Sequence, residues 1–286
     1  MALLLKGKPV ADALGKRTAE QTMIMASRGI RPCLAILRAG EDPGDLSYEK
    51  GAVRRCESLG IDVRLFHFPE TVSGEELKVA VDRINRDDSI HSCLILRPLP
   101  SQADEEAIRR TLQTEKDADG ITDGSLAGVF SGNATGFAPC TAEACIRVLD
   151  HYDIGIEGKN VTVVGRSLVI GKPVAMMLLQ RHATVTICHT RTKNLPEICR
   201  RADILVVAAG RREIVDQTCL RPGQVVLDVG IHVGAEGKIS GDVDFSSAEP
   251  LVSAVTPVPG GVGAVTTAVL ASHVAEAANA GRFWRR

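Results

Sequence analysis

Along this chain short apolar runs alternate with stretches whose apolar residues recur at helical spacing, the pattern of strands separated by helices. Residues 8–28 read as a helix stopped by Gly29, 33–37 as a strand, and 46–59 as a helix ending at Gly60. Residues 61–68 follow as a strand of β-branched and aromatic side chains. Ser73-Gly74-Glu75-Glu76 forms a capping box that opens a helix to about Arg86. Residues 93–96 are a further buried strand and 103–112 a further helix. This succession predicts βαβ units and a parallel sheet. Residues 116–138 break the rhythm: Gly120, Gly124, Gly128, Gly132 and Gly136 leave little periodicity, so the stretch reads as a loop or substrate segment. A second series follows. Thr141 caps a helix to about His151; 160–164, 184–188, 204–208 and 225–229 are strands; 173–181, 195–201 and 263–280 are helices. No internal repeat or low-complexity linker interrupts it.

The totals narrow the function classes. At 286 residues the chain suffices for two domains, or one large one, and 44% apolar residues fit an ordered globular protein. A formal net charge of -1 supplies no field for nucleic acid, and 3% aromatic residues offer few stacking platforms for bases. The basic end Arg282-Phe283-Trp284-Arg285-Arg286 reads as a solvated tail. The 8 cysteines (Cys33, Cys56, Cys93, Cys140, Cys145, Cys188, Cys199 and Cys219) show no C-x-x-C or His/Cys pairing of zinc spacing. They read as buried, reduced thiols of a cytoplasmic protein, with no metal. The apolar stretch within residues 1–10 is too short for a signal-peptide core or a membrane helix, so no membrane partner is expected.

The most informative local segment runs from Val161 through Gly165-Arg166-Ser167 to Gly171-Lys172-Pro173. An apolar strand enters a glycine turn, and a helix follows with Pro173 near its first position. That arrangement points backbone N–H groups and a helix N-terminus at an anion such as a pyrophosphate. The spacing is not G-x-G-x-x-G, so a plain βα turn competes with a nucleotide site on these residues alone. In an NAD-binding unit an acidic residue at the end of the next strand holds the ribose hydroxyls. Here that strand ends Cys188-His189-Thr190-Arg191-Thr192, without a carboxylate. Together with Arg166 this suits a 2′-phosphate, hence NADP; solvated surface arginines are the alternative. Asp228-Val229-Gly230-Ile231 fits a strand end that meets a cofactor as well as it fits a buried strand end.

Several segments in order resemble the methylenetetrahydrofolate dehydrogenase/cyclohydrolase family over nearly the whole chain. They are Gly40-Glu41-Asp42-Pro43 followed by Tyr48, Pro98-Leu99-Pro100, Lys116-Asp117-Ala118-Asp119-Gly120, Pro139-Cys140-Thr141 and Gly165-Arg166-Ser167. Ala202-Asp203-Ile204-Leu205-Val206, Asp228-Val229-Gly230-Ile231, Gly241-Asp242-Val243-Asp244-Phe245 and the specific run Thr256-Pro257-Val258-Pro259-Gly260-Gly261-Val262-Gly263 complete the set. The resemblance implies an α/β protein of two lobes. An N-terminal folate-binding lobe takes residues 1–140 plus 266–286, the last helix crossing back to it, and a Rossmann-like NADP-binding lobe takes 141–265. It implies oxidation of methylenetetrahydrofolate to methenyltetrahydrofolate in one-carbon metabolism, serving purine biosynthesis, by a homodimer.

Residue by residue, Asp119 matches the family aspartate that accepts the paired N–H donors of the pterin ring; capping a turn beside Gly120 is the plainer role for Asp117 or Asp119. Tyr48, opening its helix, matches the tyrosine lying along the substrate's rings, and both are carried as catalytic residues. Pro259, Gly260 and Gly261 offer backbone without bulk to the substrate. Gly165, Arg166, Ser167, Thr190, Arg191 and Ile231 fall to the cofactor. Thr190 stands where the family has serine, and Ala264 and Val265 replace its proline and methionine.

Two departures bear on the chemistry. The family carries a lysine four residues after the tyrosine, one helical turn on, and a glutamine two residues before Pro-Leu-Pro; these positions are Ala52 and Leu96 here. Lys50 points to the opposite side of the helix, and Arg55, on the right face, stays protonated and makes a poor base. In the dehydrogenase step the substrate's own nitrogen lone pair expels hydride toward the nicotinamide ring, and positioning does most of the work. Hydrolysis of the resulting cation needs activated water and proton shuttling. The replacements therefore predict a dehydrogenase with weak or absent cyclohydrolase activity.

Overall fold

The structure, a computed structural model, describes residues 1–234 and 237–280; the basic end read as a solvated tail lies outside the described residues. The elements in chain order are β1 (Leu3–Leu4), α1 (Gly7–Ala26), β2 (Cys33–Ala39), α2 (Pro43–Ser58), β3 (Asp62–Phe68), α3 (Gly74–Arg86), β4 (Ser92–Ile95), α4 (Glu105–Thr111) and α5 (Asp123–Ser131). There follow α6 (Cys140–His151), β5 (Asn160–Val164), α7 (Gly171–Gln180), β6 (Thr184–Cys188), α8 (Leu195–Arg201), β7 (Ile204–Val207) and β8 (Val225–Asp228). The last are β9 (His232–Val233), β10 (Ile239–Ser240), α9 (Phe245–Ala248), β11 (Ala254–Val255) and α10 (Gly263–Ala280).

The chain forms two compact units, one of Ala13–Cys140 with the chain from Thr267, the other of Met1–Asp12 with Thr141–Thr266. Residues 1–12 group by their contacts with the second unit, whose sheet β1 joins by pairing Leu3 with Ala254 and Leu4 with Val255. A strand of two residues carries no readable alternation, so its pairing is invisible in the sequence.

In the first unit a parallel sheet runs β3-β2-β4. Central β2 is buried from Cys33 to Leu37, as befits a parallel strand covered on both faces. Its core joins Ala35, Leu37, Cys93 and Ile95 to Leu77, Val81 and Ile84 of α3. The capping box forms as expected: Ser73 accepts from the Glu76 backbone while the Glu76 carboxylate accepts from Ser73. Helix α2 starts earlier than its periodicity indicates. Asp42 caps it, accepting from Gly44 and Asp45, with Pro43 in the first turn. Tyr48 therefore sits in the second turn rather than at the opening. Residues 116–138 are not a continuous loop, since α5 lies within them, capped by Thr122 and closed by Gly132 in the left-handed region. Its glycines serve packing: a Cβ on Gly124 would stand 2.2 Å from Thr114 Oγ1, and one on Gly128 2.2 Å from the Thr135 carbonyl oxygen.

The second unit is built on a six-stranded sheet in the order β1-β11-β8-β7-β5-β6, all parallel. The chain leaves central β5 toward β6, then returns to place β7 on its other side. That reversal is the topological switch point where open α/β sheets receive ligands, outside the strands' carboxyl ends. Register aligns those ends: Val164 pairs with Cys188 and Val207, and Val207 with Asp228. No helix among the described residues is long and apolar enough to cross a membrane.

Candidate active site

In the first unit the segment carrying Asp117 and Asp119 extends the sheet beyond β4, through a parallel bridge between Cys93 and Asp117. The two carboxylates have different tasks. Asp117 is fully buried and accepts from the Ile121 backbone at 3.0 Å, the Thr122 backbone at 2.6 Å and the Ser125 hydroxyl at 2.7 Å. It is the turn-holding residue, which leaves Asp119 one step short of Gly120. Gly120 is glycine by necessity: φ is +68°, and a Cβ would lie 2.4 Å from the Pro139 nitrogen.

Around Asp119 several side chains converge. Burial pushes its carboxyl up to about 6; the Arg97 charge pulls it back, the Asp117 charge adds to the rise, and the Cys140 thiol and His273 lower it. Cys140 donates to the Ala118 carbonyl at 3.2 Å, and buried His273 places Nδ1 2.8 Å from the same oxygen, its ring stacked on Phe137 at 4.6 Å. Tyr48 belongs to this cluster too: its phenol is held well above its ordinary value by burial, then by the Asp119 and Cys140 charges. Next to it in sequence, buried Glu49 accepts from Arg38 Nε at 3.0 Å and meets His67 Nε2 at 3.0 Å, fixing α2 to β2 and β3. One turn beyond Tyr48, Ala52 is 0% exposed, and Leu96 is 5% exposed. Lys50 is exposed and Arg55 half-buried.

In the second unit the turn after β5 is a backbone cradle. Gly165 has φ +133°, and a Cβ there would stand 2.1 Å from the Ala208 carbonyl oxygen at the end of β7. Gly171, opening α7, leaves no room for a Cβ beside the Gly165 backbone. The N-cap residue Ile170 makes no side-chain cap hydrogen bond, and the Ser167 hydroxyl accepts from Ile170 at 3.1 Å and from Gly171 at 3.5 Å. Pro173 falls in the helix's first turn, where a missing N–H costs nothing. Arg166 and Ser167 are exposed on this turn, and Thr190 and Arg191 are exposed on the turn after neighbouring β6, which is closed by His189 donating to Thr192 Oγ1 at 2.8 Å. A cradle that excludes side chains, followed by a helix N-terminus and two exposed arginines, fits a dinucleotide phosphate group.

The strand-end segment 228–231 divides in role. Asp228 is buried and accepts from Gly230, Asp242 and Val243, its carboxyl pushed up to about 6 by burial. Asp242 in turn accepts from Ala209 and Gly210 and meets His232 Nε2 at 2.7 Å. This knot ties the turns after β7 and β8 and leaves Ile231 62% exposed. Ile231 lines a cavity of about 280 Å³ with Asp228, Val229 and the run Pro257–Ala264. In that run Pro259 and Gly260 are exposed, Gly260 has φ +98°, and Gly261 packs so closely that a Cβ would lie 2.5 Å from the Pro257 carbonyl oxygen.

Within each unit, then, the residues singled out by sequence come together: Tyr48 with Asp119 in the first, and Gly165, Arg166, Ser167, Thr190 and Arg191 along one sheet edge in the second, with Ile231 beside Pro259–Gly261. Sequence reading missed Arg97, Cys140 and His273 around Asp119. Arg97 adjoins Pro98-Leu99-Pro100 and Cys140 lies in Pro139-Cys140-Thr141, so both stood inside quoted motifs; His273, deep in the last helix, carried no local signal.

Known proteins resemble this chain over nearly its whole length. Residues 5–119 match the family described as tetrahydrofolate dehydrogenase/cyclohydrolase, catalytic domain, and residues 139–282 its NAD(P)-binding domain. The bifunctional protein FolD of Carboxydothermus hydrogenoformans is 48% identical over 279 residues, covering 97% of each chain. The structure of the bifunctional FolD methylenetetrahydrofolate dehydrogenase/cyclohydrolase of Campylobacter jejuni superposes with a TM-score of 0.95 at 35% identity, covering 98% of this chain and 99% of that one. The Trypanosoma brucei enzyme, solved with NADP and an inhibitor, gives 0.93 at 31% identity, covering 100% and 99%. The chain belongs to the tetrahydrofolate dehydrogenase/cyclohydrolase family.

Proposed function

We propose that this protein is an NADP-dependent methylenetetrahydrofolate dehydrogenase whose cyclohydrolase activity is weak or absent. The observation that carries the proposal is the pair Ala52 and Leu96. Both are buried, apolar side chains at the two positions from which a lysine and a glutamine would serve hydrolysis. Neither side chain can move a proton or orient water.

The dehydrogenase needs less. Asp119 accepts the paired donors of the pterin edge, and Tyr48 lies along the rings. Pro259, Gly260 and Gly261 admit the substrate against bare backbone. Gly165, Arg166 and Ser167 take the pyrophosphate, and Thr190 and Arg191 with Arg166 take the 2′-phosphate, while Ile231 walls the nicotinamide side. NADP, when bound, supplies the ring that accepts hydride. The substrate's nitrogen lone pair drives hydride out, so the protein's task is to orient, desolvate and hold charge. A homodimer in solution completes the proposal.

Assaying the two steps separately on purified protein tests it. Turnover of methylenetetrahydrofolate with NADP, and conversion of methenyl- to formyltetrahydrofolate no faster than the spontaneous rate, is the expected result. Robust catalysed hydrolysis would show a fully bifunctional enzyme, and absence of both activities a non-catalytic NADP or folate binder.

A further inference from the structure

A reduced pterin presents on one edge an amino group, a ring N–H and a carbonyl oxygen, two donors beside one acceptor. A single carboxylate takes the two donors and leaves the oxygen unread. Arg97 has the charge, the place and the spare donors to read it. The bridge from Cys93 to Asp117 runs the chain carrying Asp119 alongside β4 and in the same direction, so Arg97 and Asp119 follow the ends of adjacent, parallel segments. The Arg97 side chain is 21% exposed, and its terminal nitrogen comes no closer than 3.6 Å to Glu105 Oε1. Its Nε is enclosed and has no hydrogen-bond partner among the described residues. The Nε itself is closed off, so a substrate atom would meet the partly exposed terminal nitrogens, which the guanidinium keeps protonated as donors and which make no ion pair shorter than 3.6 Å among the described residues. Glu105 is otherwise occupied, accepting from the Leu99 backbone at 3.0 Å.

We propose that Arg97 is a substrate-reading residue that donates to the pterin carbonyl oxygen beside the two donors accepted by Asp119. The inference rests on the folate reading of Asp119. It gives this site a fixed cation at the residue next to Leu96, and that cation binds the substrate without serving as a base.

Arg97→Leu and Arg97→Lys, assayed with methylenetetrahydrofolate at saturating NADP, test it. Loss of a charge-assisted hydrogen bond should raise KM about ten- to a hundredfold for the leucine variant while kcat stays within about threefold. NADP affinity, measured without folate, should not change. Arg97→Lys should recover part of the loss. The charged and titratable groups facing Asp119 are Arg97 beyond β4, Asp117 on its own turn, Tyr48 on α2, Cys140 on α6 and His273 on α10. Removing the arginine deletes the strongest influence favouring the carboxylate, so the acidic limb of kcat/KM should move to higher pH. Glu105→Gln separates reading from bracing, and should leave KM near wild type. A leucine-variant KM within twofold of wild type, or a Glu105→Gln variant reproducing the leucine effect, overturns the inference. Should Arg97→Leu fail to fold, the lysine variant decides, since a KM equal to wild type in it excludes a specific guanidinium contact. Asp119→Asn distinguishes the levels: a raised KM there with none at Arg97 sinks only this inference, whereas no change in either sinks the folate reading itself.

Discussion

Asp119 should set function against stability in a way that pH can read. Burial pushes its carboxyl from 3.8 to about 6, with Arg97 the largest opposing influence. The folded protein thus holds this proton more tightly than the unfolded chain does. Stability from that difference is fully present below the unfolded value and is lost as pH rises through the folded value. At about 1.4 kcal/mol per pH unit the gap is worth about 3 kcal/mol, trimmed to about 2 kcal/mol by the side chain's partial contact with water. At neutral pH the empty site carries a carboxylate that costs the fold this much until a ligand with paired donors arrives. Asp119→Asn removes the charge and keeps the shape. The variant should be about 2 kcal/mol more stable than wild type near pH 7 and no more stable near pH 4, while its substrate KM rises about a hundredfold through loss of a charged, bidentate contact. Urea unfolding followed by circular dichroism across that pH range measures the gap. An asparagine variant no more stable than wild type at pH 7, or a gap that does not shrink on acidification, would refute the reasoning.

The neighbouring carboxylate should behave oppositely. Asp117→Ala strands three donors in the core and should cost about 3–5 kcal/mol at neutral pH by the same urea assay. Gly165→Ala forces a Cβ against the Ala208 backbone at an unfavourable φ, and should cost about 2–4 kcal/mol and abolish measurable NADP binding in titration calorimetry. Gly29→Ala, also at positive φ but with open space around it, should cost about 1 kcal/mol or less and leave binding intact. Replacing Arg166 and Arg191 together by alanine should weaken NADP about ten- to a hundredfold and NAD far less, read from dissociation constants at one fixed salt concentration.

Where sequence reading succeeded, a local signal was strong enough to survive tertiary context. The strands at 160–164 and 184–188 and the helices at 195–201 and 263–280 are bounded as their apolar runs and glycine or proline punctuation indicate. It failed where tertiary packing chose the residue. Helix α5 hides behind Gly124 and Gly128, which are poor helix formers retained because neighbouring chain leaves no room for a Cβ. The start of α2 was missed by three residues because the Asp42 cap and Pro43, not the apolar period, define it. Asp117 and Asp119 are interchangeable as letters. Only the three donors gathered on the first show which one holds the turn. The surroundings of Asp119 come from residues as distant as Arg97 and His273, and no spacing rule links them.

The pairing of Leu3–Leu4 with Ala254–Val255 has a consequence for how the chain is made. The edge strand of the six-stranded sheet leaves the ribosome long before the strand it must lie against, so it has to stay unmated while the long stretch between the two is synthesised. Closing so long a loop is slow and comes late. A nascent chain stalled anywhere before residue 255 would therefore leave this apolar segment unpaired, a handle for chaperones while assembly is incomplete.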